Sequence, residues 1–278
     1  MNLKIKLSKY VALTVVVGLL FSACQKLERP ALGDYPVDAY DPNGPLKFYA
    51  AFDAGNVDSV TTISGTDHNV SYVPGLKGQA VQFDGSKNGY VSFGNVNGFG
   101  ASTNFTISFW INITLSQKDN NHAVGVLAFA NSQNFWGNAT FYADNNAKSP
   151  SDSMDLKIHF NDVGTTDNWN YAGYNFDKAW PHMYDGQWHQ VAFTYDAAAK
   201  TGTVYRDGVQ FDQKTGQSIK FENSSKLIAG GFQEADGIKD TYANNTWMAG
   251  FPGKMDNIKL YSRTLSAAEI ATSFANKD

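Results

Sequence analysis

The chain has 278 residues, a formal net charge of −4 and 17% charged side chains, with 14% aromatics, 25 glycines, 25 asparagines and a single cysteine. Its acidic balance excludes a nucleic-acid binder, because neutralising phosphates takes a basic face. One cysteine excludes a disulfide scaffold, no Cys/His cluster has zinc spacing, and the length suits one large all-β domain.

Met1 to Tyr10 carries Lys4, Lys6 and Lys9 without an acid, and Val11 to Phe21 is apolar or small throughout. Eleven such residues are too few to span a bilayer, which takes about 20, so residues 1–23 read as a secretory signal. The segment ends in Phe21-Ser22-Ala23-Cys24, which resembles a bacterial lipobox with Phe21 where leucine is usual. Cys24 is then the acylated first residue of the mature chain, and Gln25 after it implies outer-membrane sorting. Loss of residues 1–23 removes three lysines and no acid, leaving 19 basic against 26 acidic residues. Residues 24–45 hold four of the eight prolines, with no periodic apolar pattern. They read as a semi-extended tether, with residues 46–278 as the domain.

From Leu46 onward the pattern is one of strands. Leu46–Phe52 is apolar and aromatic, and Ala80–Phe83 and Tyr90–Phe93 flank the turn-forming run Asp84–Gly89. Phe105, Ile107, Phe109 and Ile111 alternate with Thr106, Ser108, Trp110 and Asn112, which places the Phe/Ile face inward. Strands follow over 124–130, 140–143, 156–160 and 188–195, where Val191, Phe193 and Tyr195 share a parity. Further strands cover 203–205 and 209–211 around the turn Arg206-Asp207-Gly208, then 226–229 and 254–261. Ser266-Ala267-Ala268-Glu269 is a capping box that predicts a helix over Ser266–Ala275, packed at one edge. About a dozen short strands and one terminal helix point to an all-β, two-sheet antiparallel jelly-roll sandwich, with Phe109 and Phe193 in its core.

Five segments carry a specific resemblance. Gly186-Gln187-Trp188-His189-Gln190-Val191-Ala192-Phe193-Thr194-Tyr195-Asp196 resembles the central strand of laminin-G-like, concanavalin A-like jelly rolls, and Val204–Val209 the hairpin after it. Phe251–Ser266 resembles the closing strand and its exit into a helix. Ala80–Gly85 and Phe105–Trp110 fall where that family has its early strands. The likeness covers roughly residues 46–275 in family order, and five pieces in sequence are far more specific than one. The lipobox and prolines resemble those of Bacteroidetes lipoproteins associated with polysaccharide use.

The superfamily includes retaining glucanases, whose mechanism needs two carboxyls about 5–5.5 Å apart. Their acids recur along one strand as Glu-x-Asp-x-x-Glu or near it. The nearest match is Glu234-Ala235-Asp236-Gly237-Ile238-Lys239, where Lys239 stands at the third acid position and Asp240 is one residue off register. Slipping one residue turns a strand side chain to the other face, and the glycines here read as a loop with solvated charges. The sequence supports no catalytic residue. Binding fits better, since sugars offer flat C–H faces between hydroxyls and are met by aromatics set among amides. The candidates are Trp136, Trp169, Tyr171, Tyr174 and Trp180 within the Asn/Asp-rich stretch 119–185, and Trp247 between Asn245 and Gly250. Trp110 and Trp188 lie in strand motifs and read as scaffold. The resemblance also implies one structural Ca²⁺ near the first and last strands, with Asp53 and Asp256 as its candidate ligands.

The resulting expectation is a non-catalytic, glycan-binding lipoprotein of the outer membrane that captures poly- or oligosaccharide, alongside uptake partners. The alternatives are a protein-binding surface adhesin and a divergent glycoside hydrolase. Cys24→Ala is expected to move the protein from the membrane pellet to the soluble fraction. Firm retention of that variant in the membrane would overturn the anchor.

Overall fold

The computed structural model describes residues 40–94, 96–145, 151–161, 168–171 and 179–278, and Cys24 and Tyr174 lie outside them. The first sheet runs β13 (Val209–Lys214), β12 (Thr201–Arg206), β11 (Asp185–Asp196), β6 (Phe105–Thr114), β16 (Lys254–Tyr261), β4 (Gln79–Phe83) and β3 (Val70–Pro74). Strand β1 (Leu46–Ala50) also pairs with β16, so the first and last strands are neighbours. The second sheet runs β10 (Asn168–Tyr171), β9 (Leu156–Phe160), β8 (Ala139–Ala143), β7 (Ala123–Asn131), β14 (Ser224–Ala229), β5 (Tyr90–Phe93) and β2 (Thr66–His68). All of these pairings are antiparallel, while the short β15 (Met248–Gly250) joins β7 in parallel. This is the expected two-sheet sandwich.

The alternation of β6 does what its period of two requires. Phe105, Ile107, Phe109 and Ile111 are fully buried, in register with Tyr195, Phe193, Val191 and His189 of β11. The second sheet meets them with Phe141 and Phe160. Phe109 stands edge-on to Phe141 at 5.4 Å, and Phe193 lies 4.4 Å from Phe160. Phe99 and Phe221 close the same cluster from the connections, at 5.8 and 5.1 Å from Phe105. Stacked sheets leave about 10 Å between them, and rings of this size fill that gap.

The capping box forms as expected. Ser266 Oγ accepts the Glu269 amide, Glu269 Oε2 accepts the Ser266 amide at 2.8 Å, and α1 follows over Ala267–Asn276. Its place differs from the expected edge. Ile270 and Leu265 pack with Ala192 and Tyr205, and Phe274 stacks on Trp110 at 5.5 Å, so α1 covers the outer face of the first sheet. The reason lies in β6, where Trp110 breaks an otherwise polar outer row and supplies an apolar seat. Trp110 Nε1 donates to the Asp278 carbonyl at 2.9 Å, which makes this tryptophan scaffold. Trp188 is half-buried opposite Asn112.

Strands β2, β3, β10 and β15 were not read from the sequence; β2 and β15 have only three residues, and β3 ends in Pro74. The last residues of the expected tether are held against the domain. Pro45 O accepts the Ser262 amide, Pro42 O accepts Asn97 Nδ2, and Tyr40 packs edge-on to Tyr49 at 5.5 Å. Among the described residues no helix is long and apolar enough to cross a membrane.

Candidate carbohydrate-binding site

Because Leu156, Ile158 and Phe160 of β9 point into the core, Lys157 and His159 fall on the outer face of the second sheet. The same parity puts Thr140 and Tyr142 of β8 beside them, in register with His159 and Lys157. Strand β10 pairs Trp169 with His159 and Tyr171 with Lys157, so these two candidate positions have the outer parity.

Two connections bring further aromatics onto this face. The first is the β7–β8 turn carrying Phe135 and Trp136. Asn134 Oδ1 accepts the Trp136 amide at 2.8 Å, and Asn134 Nδ2 donates to Asn161 Oδ1 at 2.7 Å. The second is the β14–β15 connection, which crosses the outer face over β7. At Gly125 a Cβ would lie 2.4 Å from the Phe232 nitrogen, so only glycine admits this crossing. Gln233 fastens the two connections together. Its Nε2 donates to the carbonyls of Asn134 and Phe135 at 2.6 and 2.9 Å, and its Oε1 accepts the Asn131 amide at 2.8 Å. Gln233 is buried, so these bonds are shielded from water.

The result is an aromatic cluster. Trp136 stacks on Tyr142 at 5.5 Å and meets Trp247 edge-on at 5.8 Å, and Phe135 lies 6.2 Å from Trp247. Phe232 underlies them, 6.4 Å from Trp247, with its amide held by the Tyr242 hydroxyl. Trp247 leaves 41% of its surface exposed, while Trp136 and Phe135 are half-buried. The Trp247 carbonyl accepts the Ala123 amide at 2.8 Å, which anchors the start of β15. Asn244 and Asn245 stand in the adjoining turn, which Asp240 caps through Thr241 N and Asn244 Nδ2.

Of the sequence-derived aromatics, the structure unites Trp136 and Trp247. Trp180 is a correction: it is fully buried, exchanges backbone hydrogen bonds with Met154, and packs on Phe211 at 4.7 Å. That pair of backbone bonds draws its ring into the core, where no sugar reaches it. Phe135, Tyr142 and Phe232 were missed. Only Tyr142 carried a signal, as the outer residue of an alternating strand.

The acidic run after β14 also departs from expectation. It forms a 3-10 turn over Gln233–Asp236, and its charges are not all solvated. Asp236 pairs with Lys226 at 2.5 Å and accepts the Tyr90 hydroxyl. Glu234 is buried, one of its oxygens has no hydrogen-bond partner, and burial with the nearby Asp240 charge pushes its carboxyl up to about 7. Asp155, on the outer parity before β9, is likewise buried, with both oxygens unpartnered, and burial pushes it up to about 6.

Asp53 and Asp256 do converge, on the turn joining β3 to β4. Asp256 accepts the amides of Leu76 and Asn257, each at 2.8 Å, and Asp53 accepts the Gln79 amide at 2.8 Å. Gly78 at φ +55° makes room, since a Cβ there would sit 1.9 Å from Asp53 Oδ1. Burial pushes Asp256 up to about 7, and the Asp53 charge adds to it. Among the described residues no group of three or more His, Cys, Asp or Glu is placed to hold a metal ion.

This two-sheet antiparallel sandwich is the fold of the concanavalin A-like class. The chain belongs to the Laminin_G_3 family of the concanavalin A-like lectin/glucanases superfamily, whose model matches residues 84–271. A search of the curated proteins found no match. Among solved structures, the chain is similar to domain 4 of a GH43 extracellular arabinanase from Geobacillus stearothermophilus, in complex with arabinotriose. The two share 18% identity and a TM-score of 0.55, over 82% of this chain and 97% of that one. It is similar to the binding domain of Paraclostridial Mosquitocidal Protein 1, at 17% identity and TM-score 0.58, over 84% of this chain and 52% of that one. The binding domain of botulinum neurotoxin DC, in complex with SialylT, gives 13% and 0.55 over 84% and 52%. The chain thus spans about half of each toxin domain, and at these identities the likeness establishes the fold.

Glu234 makes stability pH-dependent. Its folded carboxyl keeps a proton that the unfolded chain releases near pH 4.5, so stability should fall as pH rises from there to about 7 and then level off. The loss is of order 3 kcal/mol. In urea melts between pH 5 and pH 8, Glu234→Gln is expected to lose less stability than wild type. Parallel pH profiles would mean that Glu234 ionises freely in the fold.

Proposed function

We propose that the protein is a non-catalytic glycan-binding lipoprotein that captures polysaccharide at the cell envelope. The observation that carries this reading is Trp247, held half-open against Phe135 and Trp136 with the amides of Asn134, Asn161, Asn244 and Asn245 in the supporting turns. Exposed indole supplies the flat apolar surface a sugar ring stacks on, and amides supply both donors and acceptors for its hydroxyls. The carbohydrate complexes of the arabinanase domain and the neurotoxin domain, which share the fold, support the reading. Its non-catalytic part rests on the acidic run: Glu234 is buried, Asp236 is tied to Lys226, and Asp240 caps a turn. The anchor at Cys24 and the outer-membrane address remain part of the proposal on the sequence pattern alone.

Purified residues 25–278 are expected to be retarded in gels cast with at least one plant, fungal or host polysaccharide. Trp247→Ala should abolish the retardation while leaving the thermal midpoint within a few degrees of wild type. Free migration in every gel would favour the adhesin, and release of reducing sugar would favour the hydrolase.

A structural Ca²⁺ at Asp53 and Asp256 is the second part of the proposal. Two carboxylates brought together, one of them buried, carry a mutual repulsion that a divalent cation would relieve, with backbone oxygens completing its shell. Millimolar Ca²⁺ should raise the melting temperature above that in chelator, and Asp256→Asn should remove the difference. Identical melting of the wild type in both buffers would sink the cation.

A further inference from the structure

Two adjoining cavities, of about 580 and 390 Å³, lie at one end of the sandwich and share Gly85, Ser86, Gln117 and Pro252 in their walls. Together they form one open groove. The Asp84–Lys87 turn makes one side of it and the segment from Ser116 to Asn121 the other. Its ends differ in position but not in chemistry. Asn69, Ser71 and Gln82 line one end, and Asn120 and Asn121 the other.

The charges in these walls are compensated locally. Lys87 pairs with Asp84 at 2.7 Å, and Asp119 is hydrogen-bonded to the His122 ring at 2.7 Å and accepts the amides of Asn121 and His122. Lys118 is engaged by the Ser151 carbonyl at 3.2 Å and by the Tyr184 ring at 5.3 Å. The walls are otherwise amide, hydroxyl and backbone, with Asn69, Gln82, Gln117 and Ser86 held by hydrogen bonds to the protein and Ser71, Asn120 and Asn121 beside them. The groove's second end lies beside the strand that follows Trp247. Ala249 and Gly250 of β15 line this end, Met248 between Trp247 and Ala249 packs in the aromatic cluster, and Trp247 stands in the turn just before the strand.

We propose that the ligand is an uncharged polysaccharide bound along its length, lying in the groove from Asn69 to Asn121 and continuing onto Trp247. The inference rests on the glycan-binding reading above and deepens it. A small ligand or a single terminal sugar is enclosed by a pocket, whereas an open trough with an aromatic platform beyond its end matches several successive units of a chain. A polyuronate or sialylated glycan would meet walls whose two lysines are already engaged, on a protein of formal charge −4.

The experiment uses purified residues 25–278 with arabinan, xylan, galactan and mixed-linkage glucan as neutral probes, and polygalacturonate and sialyllactose as charged ones. Calorimetry then follows an oligosaccharide ladder of two to eight units cut from the neutral polymer that binds. Binding is expected to neutral polymers alone, with affinity rising at least tenfold between the di- and hexasaccharide. Ser86→Trp, and separately Asn120→Trp, should each cost the hexasaccharide at least tenfold. Preferred binding of polygalacturonate or sialyllactose would overturn the neutral ligand and leave the glycan-binding reading standing. Equal affinity for di- and hexasaccharide, or full hexasaccharide affinity in both groove variants, would overturn the extended chain. Silence of every probe would remove both readings together.

Discussion

The rest of the molecule depends on the phenylalanine layer between the sheets. Phe105 touches Phe99, Phe160, Phe193, Tyr195 and Phe221, with ring centroids between 5.1 and 6.0 Å. Once these rings are committed inward, the pleat allows no freedom in what points outward. A slip of one residue in β8 or β9 would send Phe141 or Ile158 into water and bring Tyr142 or His159 into the core. Core packing therefore sets the outer aromatic face as firmly as it sets the core.

The two outer faces are then used differently. On the first sheet, α1 lies across the strands and seals Ala192, Tyr205 and Trp110 beneath Ile270, Leu265 and Phe274. On the second, a connection takes the place of a helix. The chain from Phe232 to Trp247 covers β7 and reaches β8, where Phe232 meets Tyr142 at 5.5 Å, and its last aromatic, Trp247, is left exposed at the rim of this cover. Gln233 is central to this arrangement, because one buried amide ties three backbone groups of the β7–β8 turn to the crossing segment.

The fold was largely legible, because strand alternation and helix capping are local rules. Phe105–Ile111 and Ser266–Glu269 carry their own structure in a few residues. The site was legible only in part. Nothing local distinguishes Trp180, which is buried by a bridge to Met154, from Trp247, which stays open. Both sit among Gly, Pro and Asn, and partners 26 residues or more away in sequence decide their exposure. Glu234 was misread for a related reason. Charges beside glycines usually face water, yet here the crossing of the outer face presses the turn inward. The helix seat was hidden because it depends on Trp110 and Phe274 meeting across 164 positions of chain.

The pairing of β1 with β16 has a consequence for how such a domain travels. Leu46 stands opposite Tyr261 and Ala50 opposite Ile258, so the entry and exit of the sandwich are side by side at one place on its surface. A unit built this way can be spliced into a loop of a host protein, or strung in tandem, without stretching either flank. For the same reason a rearranged gene that joins the two ends by a short linker and opens the chain at the exposed Asp196–Thr201 turn would encode the same sheets in a new order. Close ends make the sandwich portable.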